Sequence, residues 1–390
     1  MRGRHLLTII VALGVLAAPA AGQRRMSGSA PASAGRISPG FVGMDADGPI
    51  FAPTVNFDAQ LGRMASLGVG RMRVAFDWNK AQPYRAWKDV PVAQRADFVQ
   101  GPGGVPTDFA ATDQIVEQAA HHHLALLPVV IYPPSWDASP RGRHVQPVHD
   151  APYGAYLKAL VHRYGRSGMF WSAHRSLPRV PITMWQIWNE PDLPYFWSSS
   201  HFARSYVALL RVAHRAIKQA DPKAQVVLAS LTGDSWRGLG TIYAIHGARN
   251  LFDVVGENTY APTPKRVISL LHHVRLVMSH NHDAGKPLID TEVGWPAAKG
   301  KATLGLGVAT NEAGQASKLA QMLPLLAANR RSLGLAGFYY YTWMSTDQAG
   351  SASPFNFSGL LTYSAHNHHI SEKPAFATFS RIVHSLEGGR

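Results

Sequence analysis

Trp185-Gln186-Ile187-Trp188-Asn189-Glu190-Pro191-Asp192 closes an apolar, β-prone run that begins near Val180, and the run stops at an Asn-Glu pair followed by proline. Pro191 has no N–H to offer a sheet, so the strand ends there and leaves Glu190 at its C-terminal edge. That edge is where an α/β barrel places reacting groups. Pro287-Leu288-Ile289-Asp290-Thr291-Glu292-Val293-Gly294-Trp295 repeats the arrangement, with Gly294 and Pro296 closing a short strand behind Glu292. The chain has only seven glutamates, and these two end strand-like runs in aromatic surroundings, which narrows the field of candidate acids.

Outward from these two segments, strand-like and helix-like stretches alternate. Strands are predicted at 39–44, 70–76, 124–131, 181–188, 225–230, 252–258, 287–291 and 336–342. Helical periodicity falls between them at 58–67, 107–122, 151–164, 202–219, 237–246, 264–280 and 312–328, and a last helix at 373–386 follows. Eight strands each followed by a helix predict a (β/α)8 TIM barrel in a single domain, 39–390. The long Gly/Pro/aromatic-rich connections 77–106, 132–150, 294–310 and 344–372 all follow strands, on the side where a barrel builds its site.

The N-terminus reads as an export signal over 1–21. Arg2, Arg4 and His5 precede an apolar run too short to span a bilayer, and Ala18-Pro19-Ala20 supplies small residues for cleavage. Residues 22–38 are Ser/Ala/Gly/Pro/Arg-rich and read as a flexible leader. A secreted protein is expected, with association to the cell envelope left open and without stable membrane insertion. With no cysteine, its stability must come from packing. The net charge of +14 would favour an anionic polysaccharide or an acidic envelope by long-range attraction. The Arg and Lys residues are dispersed and form no nucleic-acid recognition motif, so nucleic acid is not expected as a partner.

Two carboxylates, each ending its own strand, are the minimum apparatus of retaining glycoside hydrolysis, which expects them about 5–5.5 Å apart. The residues around them resemble clan A glycoside hydrolases, family 39 first and family 5 second. Asn189-Glu190-Pro191 matches the strand-four signature, and Thr291-Glu292-Val293-Gly294-Trp295 resembles the strand-seven segment. Met72-Arg73-Val74 matches a second-strand arginine, Asn258-Thr259-Tyr260 the sixth-strand His-x-Tyr, and Trp343 the aromatic floor after strand eight. The resemblance covers about 41–386. It departs at Asn258, where many relatives have His, and in lacking the β-sandwich of many family 39 xylosidases.

The resemblance implies Glu190 as acid/base, Glu292 as nucleophile, and Arg73 and Tyr260 holding Glu292. It also implies sugar contacts from Asn189, Asn258 and Trp343. Trp295, Trp136, Trp78 and Tyr132 lie in neighbouring strand-end loops and are candidates for further subsites. Consecutive strand residues point to opposite faces, so Asn189 and Glu190 can share the site only if the backbone at 188–190 is irregular. Glu257, by the same alternation, should face the helix layer. Neither His121-His122-His123 nor His366, His368 and His369 has convincing ligand spacing, so no metal and no cofactor is expected. The expected substrate is a β-linked polysaccharide or oligosaccharide, cut internally by a monomer. An exo-acting β-glycosidase or xylosidase and a catalytically silent carbohydrate-binding barrel are the alternatives.

Overall fold

The computed structural model describes residues 37–139, 144–199, 201–304 and 307–387. Eight parallel strands follow one another around a barrel: β1 (Val42–Ala46), β2 (Arg71–Asp77), β3 (Ala125–Ile131), β4 (Met184–Ile187), β5 (Gln225–Val227), β6 (Val255–Asn258), β7 (Leu288–Val293) and β8 (Leu335–Tyr340). Each pairs with its sequence neighbour, and β8 pairs with β1. The ring closes between β5 and β6 through the Val227–Val254 bridge. The outer layer is α1 (Phe57–Ser66), α2 (Ala110–His121), α3 (Asp150–Tyr164), α4 (Phe202–Ala220), α5 (Ser235–Tyr243), α6 (Pro264–His280), α7 (Glu312–Leu333) and α8 (Pro374–Glu387). The predicted order of strands and helices is the observed one.

The strands read as near-continuous apolar runs because both of their faces are covered. Leu127, Val227, Val254, Ile289 and Tyr339 come from five segments and meet in one cluster inside the barrel. A larger cluster fills the space between strands and helices. The inner plug lies below the C-terminal strand ends. Above it the barrel interior turns polar with Asp45, Arg73, Gln186, Ser230 and Glu292, all buried.

Local chemistry sets the boundaries. Asn56, Thr263 and Asn311 cap α1, α6 and α7 by accepting backbone N–H bonds from the first turn. Helix α7 runs five residues past its predicted end, since Arg330, Arg331 and Leu333 are good helix formers and the stop is Gly334, left-handed at φ 57°. Strand β1 begins later than predicted because 39–40 form a turn with Gly40 at φ 76°. Residues 1–36, which include the export signal and most of the leader, lie outside the described residues. Ile37, assigned to the leader, is instead buried in the core, and its N–H donates to the Leu386 carbonyl. Among the described residues no helix is long and apolar enough to cross a membrane.

Candidate active site

Strand β4 ends at Ile187, and the backbone then leaves regular geometry: Trp188 has φ 69° and Glu190 φ 43°. These left-handed conformations are costly for such residues, and surrounding bonds hold them. Trp188 Nε1 donates to the Phe196 carbonyl at 3.0 Å, and the Glu190 N–H donates to the Ser230 carbonyl at 3.0 Å. The irregularity predicted at 188–190 is therefore present. It turns both Asn189 and Glu190 into one cavity at the C-terminal end of the barrel, lined also by Asp45, Arg73, Asn258, Tyr260 and Glu292.

Arg73 is the hub of that cavity. Its inward position on β2 buries the guanidinium, whose nitrogens donate to Gln186 at 2.7 Å, Asp45 at 2.9 Å, Glu292 at 2.7 Å and Asn189 at 2.8 Å. Because arginine only donates, the Asn189 atom facing it must be the amide oxygen, which leaves the amide nitrogen for a ligand. The second Glu292 oxygen accepts from the Tyr260 hydroxyl at 2.8 Å. A register shift in the β6–β7 pairing pairs Glu257 with Asp290 but Asn258 with Glu292. Thr291 therefore faces inward as well, with its hydroxyl 2.9 Å from the Asn258 amide oxygen.

That contact orients Asn258, whose amide nitrogen donates to Glu190 at 2.7 Å. The residue expected to touch sugar thus binds the carboxyl across the cavity. Burial pushes the Glu190 carboxyl well above its ordinary value, and the charge of Glu292 adds to the shift. Burial also raises Asp45, against the opposing charge of Arg73. For Arg73 itself, burial disfavours the charge, but Asp45 and Glu292 outweigh it and hold the guanidinium above its usual range. Two carboxyls in one cavity thereby sit in different environments, one beside an amide and one clamped by a guanidinium and a phenol.

Three predicted sugar contacts lie elsewhere. Trp343 is fully buried outside the cavity, its Nε1 donating to Gln60 on α1 at 3.0 Å and its ring packed on Phe376 of α8. The chain turns over β1 after Tyr341, so the alternation that would bring residue 343 inward no longer applies. Tyr341 occupies the cavity wall instead. Trp295 is buried behind β6 with Nε1 donating to the Ala261 carbonyl, and Trp136 packs edge-on against Trp78 with Nε1 on the Gln82 carbonyl. Of the four aromatic residues named for further subsites, Tyr132 alone lines the cavity.

Asp45, Gln186, Ser230, Thr291 and Phe355 were not anticipated. The signal for Asp45 was present, since it is an acid near the end of an apolar strand, as Glu190 is. Glu257 faces away from the cavity, as expected, with burial raising its pKa and the Ser235 hydroxyl partly opposing that shift. His122 pairs with Asp58 at 2.9 Å and His368 with Tyr363 at 3.1 Å, both remote from the cavity lining.

No family model matches the sequence, and no curated protein matches it. Its fold is shared with solved glycoside hydrolases. A family 39 glycoside hydrolase from the gut symbiont Bacteroides cellulosilyticus WH2 superposes with TM-score 0.60 at 17% identity over 91% of this chain, which spans 65% of that one. A glucosidase from Croceicoccus marinus gives TM-score 0.60 at 15% identity over 91% of this chain and 70% of that one. The Ignisphaera aggregans GH53 catalytic domain gives 0.55 at 18%, covering 88% of this chain and 96% of that domain. At these identities the likeness is one of fold, that of a (β/α)8 barrel.

Proposed function

We propose that this chain is a secreted retaining glycoside hydrolase that cleaves a β-linked polysaccharide or oligosaccharide, with Glu190 as acid/base and Glu292 as nucleophile. The observation that carries this reading is the pairing of a buried carboxyl raised by its surroundings with a second carboxylate held by Arg73 and Tyr260 in the same cavity. In the first step Glu292 attacks the anomeric carbon while Glu190 protonates the departing glycosidic oxygen, leaving a glycosyl ester on Glu292. In the second, Glu190 takes a proton from water, the water oxygen attacks the anomeric carbon, and Glu292 is released. The free amide nitrogen of Asn189 donates to the neighbouring sugar hydroxyl, a bond of the kind that strengthens as positive charge develops on the ring.

Internal cleavage is supported by where the aromatic rings lie. Tyr132 and Phe196 stack at 6.4 Å on the β3–β4 side of the cavity. Phe355 meets Tyr260 at 4.9 Å and Tyr341 at 5.9 Å on the β6–β8 side. Platforms on both sides of the carboxyls suit a chain bound across them.

Proton NMR of the first product released from a panel of β-linked polysaccharides tests the reaction. The β-anomer should appear first, and Glu292→Ala should abolish turnover. Glu190→Ala should keep activity on 2,4-dinitrophenyl glycosides, which need no protonation, and added azide should trap a β-glycosyl azide. An α-anomer as first product overturns retention. The absence of product from every glycan overturns the hydrolase reading and leaves a binding barrel.

A further inference from the structure

A line of hydrogen bonds runs from the arginine that clamps Glu292 to the carboxyl of Glu190. Arg73 Nε donates to the Gln186 amide oxygen at 2.7 Å, and the Gln186 amide nitrogen donates to the Ser230 hydroxyl at 2.8 Å. The Ser230 and Thr291 hydroxyls share a bond of 2.5 Å, and the Thr291 hydroxyl donates to the Asn258 amide oxygen at 2.9 Å. The Asn258 amide nitrogen closes the line by donating to Glu190 Oε1 at 2.7 Å. Gln186, Ser230, Thr291 and Asn258 are all buried.

The first member sets the direction of the bonds that follow. Arginine has protons to give and no acceptor, so Gln186 turns its oxygen to Arg73 and its N–H to Ser230. The Ser230 oxygen accepts there and sends its own proton to Thr291. Thr291 is left with one proton to give, within 2.9 Å of both the Asn258 amide oxygen and the Glu257 carbonyl. Bonds that point the same way polarise and strengthen one another. With its oxygen on Thr291, Asn258 presents its N–H to Glu190. The opposite orientation would set an amide oxygen against a carboxyl oxygen, which holds only while Glu190 keeps a proton between them.

A protonated carboxyl has one oxygen that accepts and one that carries the proton. Oε1 faces the Asn258 donor and is therefore the accepting oxygen. Among the described residues no hydrogen bond engages Oε2, and Glu190 lines the cavity.

We propose that Thr291 is a positioning residue for the acid: its hydroxyl, at the end of the line of donors from Arg73, fixes the Asn258 amide with its nitrogen on Glu190 Oε1, and so leaves the Glu190 proton on Oε2 for the glycosidic oxygen. The orientation of the amide does not depend on turnover, whereas its use in proton transfer rests on the hydrolase reading.

The test is a carbon-13 NMR titration of the glutamate carboxyls in the full chain, where the Glu190 signal is the one absent from Glu190→Gln. Thr291→Val keeps the shape of the side chain and removes the hydroxyl that holds the amide. Turned over, the amide faces Glu190 with an acceptor, which favours the protonated carboxyl. Glu190 should then titrate about one pH unit higher than in the wild type. Thr291→Ser restores the hydroxyl and should titrate as the wild type does. The other charges that act on Glu190, those of Glu292, Asp192 and Arg73, are the same in every variant. If Thr291→Val does not fold, Ser230→Ala removes the preceding link and should move Glu190 in the same direction. In kinetics, kcat/KM of Thr291→Val should fall about tenfold more on phenyl β-glycosides than on 2,4-dinitrophenyl ones, which need no protonation. Equal losses on both substrates would mark a merely structural role and overturn the inference. So would a Glu190 titration that stays unchanged or moves lower, or one that moves as far in Thr291→Ser as in Thr291→Val. If the titrations follow expectation but the wild type cleaves no glycoside, the hydrolase reading fails and the orientation assigned to Thr291 stands.

Discussion

Glu190 differs from Glu292 in what faces it, and that difference has a measurable sign. Burial and the Glu292 charge favour the protonated form of Glu190, which is the form needed to protonate a leaving group. Activity should therefore fall as pH rises through the raised Glu190 value, placing the alkaline limb of kcat/KM well above the ordinary carboxylate range. A pH–rate profile of Glu190→Gln on a 2,4-dinitrophenyl glycoside should lack that limb, and a limb surviving unchanged would assign it to another group. Glu257 is raised in the same direction but lies outside the cavity. A carboxyl whose folded value exceeds its unfolded one adds stability below the unfolded value, and the gain is lost as pH rises through the folded value. Glu257→Gln should therefore match the wild type in urea at pH 4 and exceed it by about 1–3 kcal/mol at pH 8. An equal difference at both pH values would show that its proton is not involved.

At the scale of elements, the end of β8 divides structure from chemistry within three residues. Tyr341 borders the cavity and hydrogen-bonds Asp47, while Trp343 bridges α1 and α8 from outside the barrel. Trp343→Ala should cost about 3–5 kcal/mol of stability by opening a cavity between helices, while kcat/KM of the folded fraction stays close to wild type. Tyr341→Ala should do the reverse, lowering kcat/KM by about tenfold or more with little change in Tm. Denaturant melts and steady-state kinetics on the two variants separate the roles, and coincident losses in both would refute the division. The same logic holds at the end of β4, where two consecutive residues face the site because the backbone at Trp188 and Glu190 abandons alternation.

For the whole molecule, the seam of the barrel is uneven. β2 and β3 pair through seven residues, whereas β5 and β6 meet at a single bridge, Val227–Val254. Local opening should start where pairing is thinnest, because fewer hydrogen bonds must break there. Hydrogen exchange followed by mass spectrometry should show earlier exchange in β5 and β6 than in β2 and β3. Uniform protection around the ring would refute it.

Much of this architecture was legible from local signals. Hydrophobic runs, capping residues and proline or glycine stops depend on neighbours along the chain, so the eight-fold alternation and Glu190 and Glu292 at strand ends follow from the residues themselves, while the broken backbone at 188–190 follows from the shared site that the resemblance implies for Asn189 and Glu190. Strand parity likewise turned Tyr260 and Asn258 inward and Glu257 outward. Trp343 was expected in the cavity from the resemblance, and Trp295 and Trp136 from their place in strand-end loops, yet none of the three lines it. An indole packs equally well against a helix or a sugar, and which it meets depends on where the chain turns after the strand. The partners of a buried polar group are likewise set by residues far apart in the chain. Arg73 meets Glu292 and Asn258 meets Glu190 only because separate strands converge at one end of a closed barrel.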